Sequence, residues 1–304
     1  MLRNRPERRA SSVSCGLMTR PLLPQRPPRM PTDSAITSEV TRSRQLDSRQ
    51  PQGQFATYRL DDGIAVIRLN RPERLNAASP ELVADLKRGL ERAAAERAVV
   101  TVITGAGRAF CAGHDLKAES LPPDSEEVLE HLQNVQDITR LLRSASTVSI
   151  AAVHGYALGA GIEFALSCDF IVADESTTFG FPEVSVGLSV TGGISYLLPQ
   201  AVGLPMAKEL IMLGEPFSAE KALSLGLINR VTAPGDHLRV AEELAQRIRT
   251  LPRQALTLAK EAFESAVRVD MEMAMAREIE NALLTADLGE ADVARSAFAA
   301  KGRK

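Results

Sequence analysis

The stretch Val148–Ala173 is the longest apolar run in the chain, and it constrains the fold most. It is long enough to suggest a membrane span. It also contains His154, Glu163, Asp169 and three glycines, which a hydrocarbon interior disfavours. It reads instead as a buried strand (Val148–Val153), a glycine-rich turn, a helix over Gly161–Ser167 and a further strand over Phe170–Ala173. Strands with no polar face are buried on both sides, so helices must cover both faces of their sheet.

The upstream sequence has the same grammar. Tyr58–Leu60 and Ile64–Leu69 alternate around Asp61-Asp62-Gly63, the signature of a hairpin with a tight turn. Pro80–Ala95 has helical spacing, with Leu82, Leu86 and Leu90 on one face and Ser79 as N-cap. Val99–Thr104 predicts a buried strand and Val128–Arg143 another helix. Strands alternating with helices place the chain in the α/β class, with a largely parallel sheet. Pro205–Ala300 is mostly helical in pattern, with breaks near Gly226, Pro234 and Pro252. Aromatic residues are only 4% and Trp is absent, so aliphatic side chains must build the core.

Residues 1–50 stand apart. They hold ten Arg, no Lys and four acids, a net +6, so the rest carries −8 of the total −2. Six prolines and no apolar period predict a disordered tail, or an extension upstream of a start near Met30. A mitochondrial transit segment is the alternative, although Glu7 and the prolines fit one poorly. The three cysteines form no CxxC pair, and an odd number suits reduced thiols. An acidic body is no partner for nucleic acid. A cytoplasmic protein is expected, or one of the mitochondrial matrix if the tail is a transit segment, with no membrane partner.

Several enzyme classes are missing from the sequence. There is no Walker loop, no GxSxG elbow and no kinase signature. The four histidines lack zinc-ligand spacing. Gly105-Ala-Gly107 follows a strand but lacks the third glycine of a dinucleotide fingerprint. Three segments remain. Gly105–Leu116 is rich in small residues, which let a ligand approach backbone N–H donors; an ordinary strand-to-helix turn would look alike. His154–Leu166 is a glycine-rich turn opening a helix, whose first N–H groups are unpaired. Glu163 in that first turn either complements the helix dipole from solvent or is buried, and its apolar neighbours leave little polar face. Glu183 follows Pro182 in an aromatic loop, and is either a surface glutamate or a desolvated acid–base group.

Together these segments resemble the crotonase (enoyl-CoA hydratase/isomerase) family. The resemblance is carried by Leu69-Asn-Arg-Pro-Glu-Arg-Leu-Asn-Ala77, Ala109-Phe-Cys-Ala-Gly-His-Asp-Leu116, Ala152–Glu163, Cys168-Asp169, Phe179-Gly-Phe-Pro-Glu183 through Gly187, and Gly226–Val231. It runs from about residue 55 to about 300. It implies a spiral of repeated ββα units over 51–235, then a C-terminal helical trimerisation region over 236–304, and a homotrimer or homohexamer. It implies an acyl-CoA thioester substrate, no metal, and no cofactor beyond the CoA that belongs to the substrate. The N–H groups of His114 and Ala160 would hold the thioester oxygen. His114, Asp115, Leu116 and Lys117 would line the CoA side. Glu163 and Glu183, twenty residues apart, stand where hydratases place their two glutamates.

The expected reaction is hydration of a 2-enoyl-CoA, with Glu163 activating water and Glu183 exchanging the C2 proton. Alternatives are a Δ3,Δ2-enoyl-CoA isomerase, a thioester hydrolase or C–C lyase on the same scaffold, and an acyl-CoA-binding subunit without catalysis. Three departures from the family pattern bear on specificity. His114 stands where Ala or Gly is common, Ala160 where Gly is common, and Gly187-Leu-Ser-Val-Thr-Gly-Gly193 replaces a proline-containing stretch.

Overall fold

The computed structural model describes residues 54–115, 125–144, 147–265 and 268–287. The expectations for the tail at 1–50 and for Leu116 and Lys117 lie outside these residues, as does all but the last residue of Leu121–Ser125, whose two prolines suggest a mobile cover or a plain connector.

In chain order the elements are β1 (Ala56–Asp61), β2 (Ile64–Leu69), α1 (Pro80–Ala95), β3 (Val100–Gly105), α2 (Glu126–Arg143), β4 (Val148–Val153), β5 (Tyr156–Leu158), α3 (Ala160–Leu166), β6 (Phe170–Asp174) and β7 (Thr178–Gly180). There follow α4 (Ile194–Val202), α5 (Leu204–Leu213), β8 (Phe217–Ser218), α6 (Ala219–Ser224), β9 (Arg230–Thr232), α7 (His237–Arg249), α8 (Arg253–Ser265) and α9 (Arg268–Asp287).

The large sheet has the order β1-β2-β3-β4-β6-β9. Only the β1–β2 hairpin is antiparallel; the other pairings are parallel. The hairpin turns through Asp62 and Gly63, both at positive φ, as a two-residue primed turn demands. Strands β3 and β4 are buried at every position. Their two faces explain why. Ile67, Leu69, Ile103, Ala151, Val153 and Ile171 point toward α1, α2 and α3, through Leu82, Leu86, Val135, Ile138 and Phe164. Ile64, Val100, Val102, Val148, Ile150 and Val172 point the other way, onto Ala241, Leu244, Ala245 and Ile248 of α7. The period of two along each strand thus sorts side chains into two apolar layers.

A small sheet, β5-β7-β8, lies beyond the ends of the long strands, and Cys111 extends it by a bridge to Ala157. The chain therefore repeats a pattern of long strand, short strand and helix: β4, β5, α3, then β6, β7 and a turn into α4. The three-residue strands carry too little sequence to show alternation, which is why periodicity alone misses them.

Helix α8 is tied to the sheet by Lys260. Its Nζ donates to Asp169 Oδ2 at 2.8 Å, Leu142 O at 2.6 Å and Thr147 O at 2.8 Å. Asp169 Oδ2 also accepts from Ser149 N at 2.7 Å and Ser149 Oγ at 2.9 Å. Asp169→Ala would leave a buried ammonium without its counter-charge. It should lower unfolding stability by about 2–3 kcal/mol in urea titration. A loss within experimental error of zero would show that α8 is held by packing alone.

Candidate active site

The first loop of the site is organised by Asn76, which sits in the left-handed region with φ 56°. Its Oδ1 accepts from Arg71 N at 2.8 Å, and its Nδ2 donates to Ala106 O at 2.9 Å and Ala109 O at 2.7 Å. This joins the Arg71–Ala77 loop to the turn after β3, and accounts for the Asn-Arg-Pro-Glu-Arg-Leu-Asn-Ala motif. Arg71 Nη1 also lies 2.6 Å from Asp115 Oδ2, so the Asp115 carboxylate is engaged within the loop. Ala78 N donates to Gly113 O, and Asp115 N donates to Ala78 O. The peptide of His114 between them donates to no carbonyl among the described residues.

The second loop enters α3 through Gly159, at φ 51° and ψ −124°. A Cβ there would fall 2.8 Å from Glu183 Oε1 and 3.4 Å from Gly113 Cα, so only glycine fits. The two loops are thus in van der Waals contact, and the Glu183 carboxylate rests on the entrance to α3. Ala160 opens the helix, and its N–H, like that of His114, meets no carbonyl among the described residues. Gly159, which precedes Ala160, thus lies close to both Gly113, which precedes His114, and the Glu183 carboxylate.

Glu163 lies in the first turn of α3 and is fully buried. Thr191 holds both its oxygens: Oε1 accepts from Thr191 N at 2.9 Å, and Oε2 from Thr191 Oγ1 at 2.7 Å. The clamp is closed from behind. Ser167 Oγ donates to Glu163 O at 2.8 Å and lies 3.1 Å from Thr139 Oγ1, which donates to Gly192 O at 2.9 Å. Gly192 itself stands over the carboxylate, where an added Cβ would lie 3.1 Å from Glu163 Cβ and Oε2.

Glu183 opens a one-turn 3-10 segment and is also buried, 3% exposed. In contrast to Glu163, neither of its oxygens accepts a hydrogen bond from another described residue. Burial pushes both carboxyl groups above the ordinary carboxylate range, and the neighbouring Glu183 charge raises Glu163 further. Two Thr191 donors favour the charged form of Glu163, while its complete burial and the charges of Glu183 and Glu278 favour the protonated form, and its pKa rises to about 8 against about 7 for Glu183.

The His114 imidazole joins the same network. Its Nε2 is 3.5 Å from Thr191 Oγ1, and its ring meets His131 edge to face at 5.8 Å between centroids. Burial pushes its pKa down to about 3, so the ring is neutral. Sequence reasoning missed Thr191, Thr139 and Ser167. The one available signal was the unusual Thr-Gly-Gly within the stretch that departs from the family pattern. Gly192→Ala would force an alanine to φ +65° against Glu163. It should cost about 1–3 kcal/mol of unfolding stability, read by thermal denaturation. An unchanged midpoint would mean that the turn can move away from Glu163.

Comparison with known proteins supports the family resemblance. The chain is 34% identical over 219 residues to a short-chain-enoyl-CoA hydratase of Clostridium acetobutylicum, a match spanning 71% of this chain and 84% of that protein. It is 33% identical over 220 residues to a crotonyl-CoA hydratase of Syntrophomonas wolfei, spanning 72% and 84%. An enoyl-CoA hydratase structure from Mycobacterium avium subsp. paratuberculosis superposes with a TM-score of 0.74 at 26% identity, covering 81% of this chain and 96% of that one. The profile of the Enoyl-CoA hydratase/isomerase family matches residues 59–303, and with the spiral fold and buried glutamates already in place, the chain belongs to that family.

Proposed function

We propose that the protein is an enoyl-CoA hydratase, adding water reversibly across the 2,3 double bond of a 2-enoyl-CoA. The supporting observation is the unequal hydrogen bonding of the two buried carboxylates: Thr191 donates to both oxygens of Glu163, and no other described residue donates to Glu183. Hydration needs one base and one acid at the same time. Proton relocation, the isomerase reaction, needs only one carboxylate.

In this reading the thioester oxygen accepts from the His114 and Ala160 N–H groups. As charge builds on that oxygen, C3 becomes electrophilic. Glu163 takes a proton from water as its oxygen bonds to C3. The C2 carbanion equivalent takes the proton of Glu183, and the thioester carbonyl reforms. The pair ends with the proton on Glu163 and the charge on Glu183, and one proton transfer between them restores the start. Each oxyanion donor is worth about 10²–10³ in rate. His114, Asp115, Leu116 and Lys117 are assigned to the CoA side.

Purified protein with crotonyl-CoA should show loss of the conjugated-thioester absorbance. Glu163→Gln and Glu183→Gln should each reduce kcat by at least about 10³-fold while still binding CoA esters. Turnover of 3-enoyl-CoA alone would replace hydration by isomerisation. The rate should fall at low pH as Glu163 is protonated and at high pH as Glu183 ionises, with the acid limb above the ordinary carboxylate range. A carboxyl whose folded pKa is raised contributes stability below its unfolded pKa and loses it as pH rises through the folded one. Glu183→Gln should therefore be more stable than the parent protein at pH 9, the reverse of its effect on activity.

We also propose self-association as a homotrimer or a dimer of trimers. Leu204, Met212 and Leu213 on α5 and near it, and Phe263 and Met273 on α8 and α9, leave large apolar side chains exposed. Light scattering should give three or six times the 32.8 kDa chain mass, and a monomer would refute it.

A further inference from the structure

We infer that Glu278, on the C-terminal helix α9, is a positioning residue for Glu163, acting through the Thr191–Gly193 turn. This rests on the two-glutamate reading above. Glu278 is buried, 2% exposed, and lies far from Glu163 in sequence. Its Oε2 accepts from Gly193 N at 2.8 Å and from Gln136 Nε2 at 3.2 Å, and its Oε1 accepts from Ser195 N at 2.8 Å. All three contacts are N–H donors.

Helix α4 begins at Ile194 and has no side-chain cap of its own. Glu278 supplies the missing acceptor from another helix, across 83 residues of sequence. The peptide it grips is two residues from Thr191, whose N–H and hydroxyl hold Glu163. The intervening Gly192 stands directly over the Glu163 side chain. The turn is therefore fastened at one end by Glu278, in the middle by Thr139, and at the other end to the reacting carboxylate.

Stability alone does not call for a carboxylate here. Met271 and Met275 already pack α9 on Leu197, and Arg140 pairs with Glu272 at 2.7 Å. A buried carboxylate is costly to desolvate, and an apolar residue of similar volume would anchor α9 at least as well. What an apolar residue could not do is fix the two backbone N–H groups of the turn. Glu278 has a second effect on Glu163: its negative charge raises the Glu163 pKa. The other groups facing Glu163 are Glu183, the Cys111 thiol, and His114 through Thr191.

The test compares Glu278→Gln, Glu278→Asp and Glu163→Gln in steady-state kinetics on crotonyl-CoA across pH, with folding checked by circular dichroism. Glu278→Gln should lower kcat about 10–100-fold with KM within about threefold, since a small misplacement of a reacting group has effects of that size. Its acid limb should also move to lower pH, because one negative charge near Glu163 is gone. Glu278→Asp keeps the charge and withdraws it by one methylene. It should lower kcat without moving the limb, and it carries the test if the glutamine variant does not fold. An inactive Glu163→Gln beside Glu278 variants with the parent kcat and pH profile, whatever their melting temperature, would overturn the proposal. An active Glu163→Gln would instead remove the glutamate pair, and with it any role for Glu278.

Discussion

The site depends on the two hydrogen bonds from Thr191 to Glu163. A carboxylate with no exposure to water is tolerable only if protein donors replace its hydration. Thr191 provides a backbone N–H and a hydroxyl, one to each oxygen. Glu183, nearly as enclosed, accepts no hydrogen bond from another described residue. The same apolar interior therefore gives two chemically identical groups different hydrogen bonding. In the proposed hydration reaction that difference suits one of them to act as base and the other as acid.

The scaffold serves this asymmetry by delivering each part from a separate turn of the spiral. The turn after β3 brings the His114 peptide, the turn after β5 brings Ala160 and Glu163, and the turn after β7 brings Glu183. Parallel pairing through β3, β4 and β6 puts those turns at the same end of the large sheet. Contacts at Gly113 and Gly159 then bring the loops together closely enough that a single methyl group would collide. The helices α2 and α9 close the arrangement from outside, through Thr139 and Glu278.

Much of this was legible in the sequence. The hairpin, α1 with its Ser79 cap, β4, and the glycine turn into α3 follow from period and capping chemistry, and the structure has them within one or two residues. The two glutamates could be paired only through the resemblance to the crotonase family, whose hydratases place glutamates at two positions twenty residues apart; taken singly, each also read as a surface carboxylate. The strands β5, β7, β8 and β9 were illegible because two or three residues carry no periodicity. The start of α4 was hidden because its capping acceptor comes from another helix. Thr191 was hidden for a related reason: a threonine among small residues reads as loop until the fold carries it to Glu163. Local pattern encodes elements, whereas partners that meet only through tertiary folding leave no local mark.

In the proposed reaction the pair shares one proton, held by Glu183, with the charge on Glu163. Infrared difference spectroscopy during a pH titration of isotope-labelled glutamates tests it directly. At neutral pH the parent protein should show one buried carboxylic-acid carbonyl stretch, which disappears in Glu183→Gln and persists in Glu163→Gln. A band lost in Glu163→Gln and retained in Glu183→Gln would reverse the roles, and its absence from the parent protein would contradict the account.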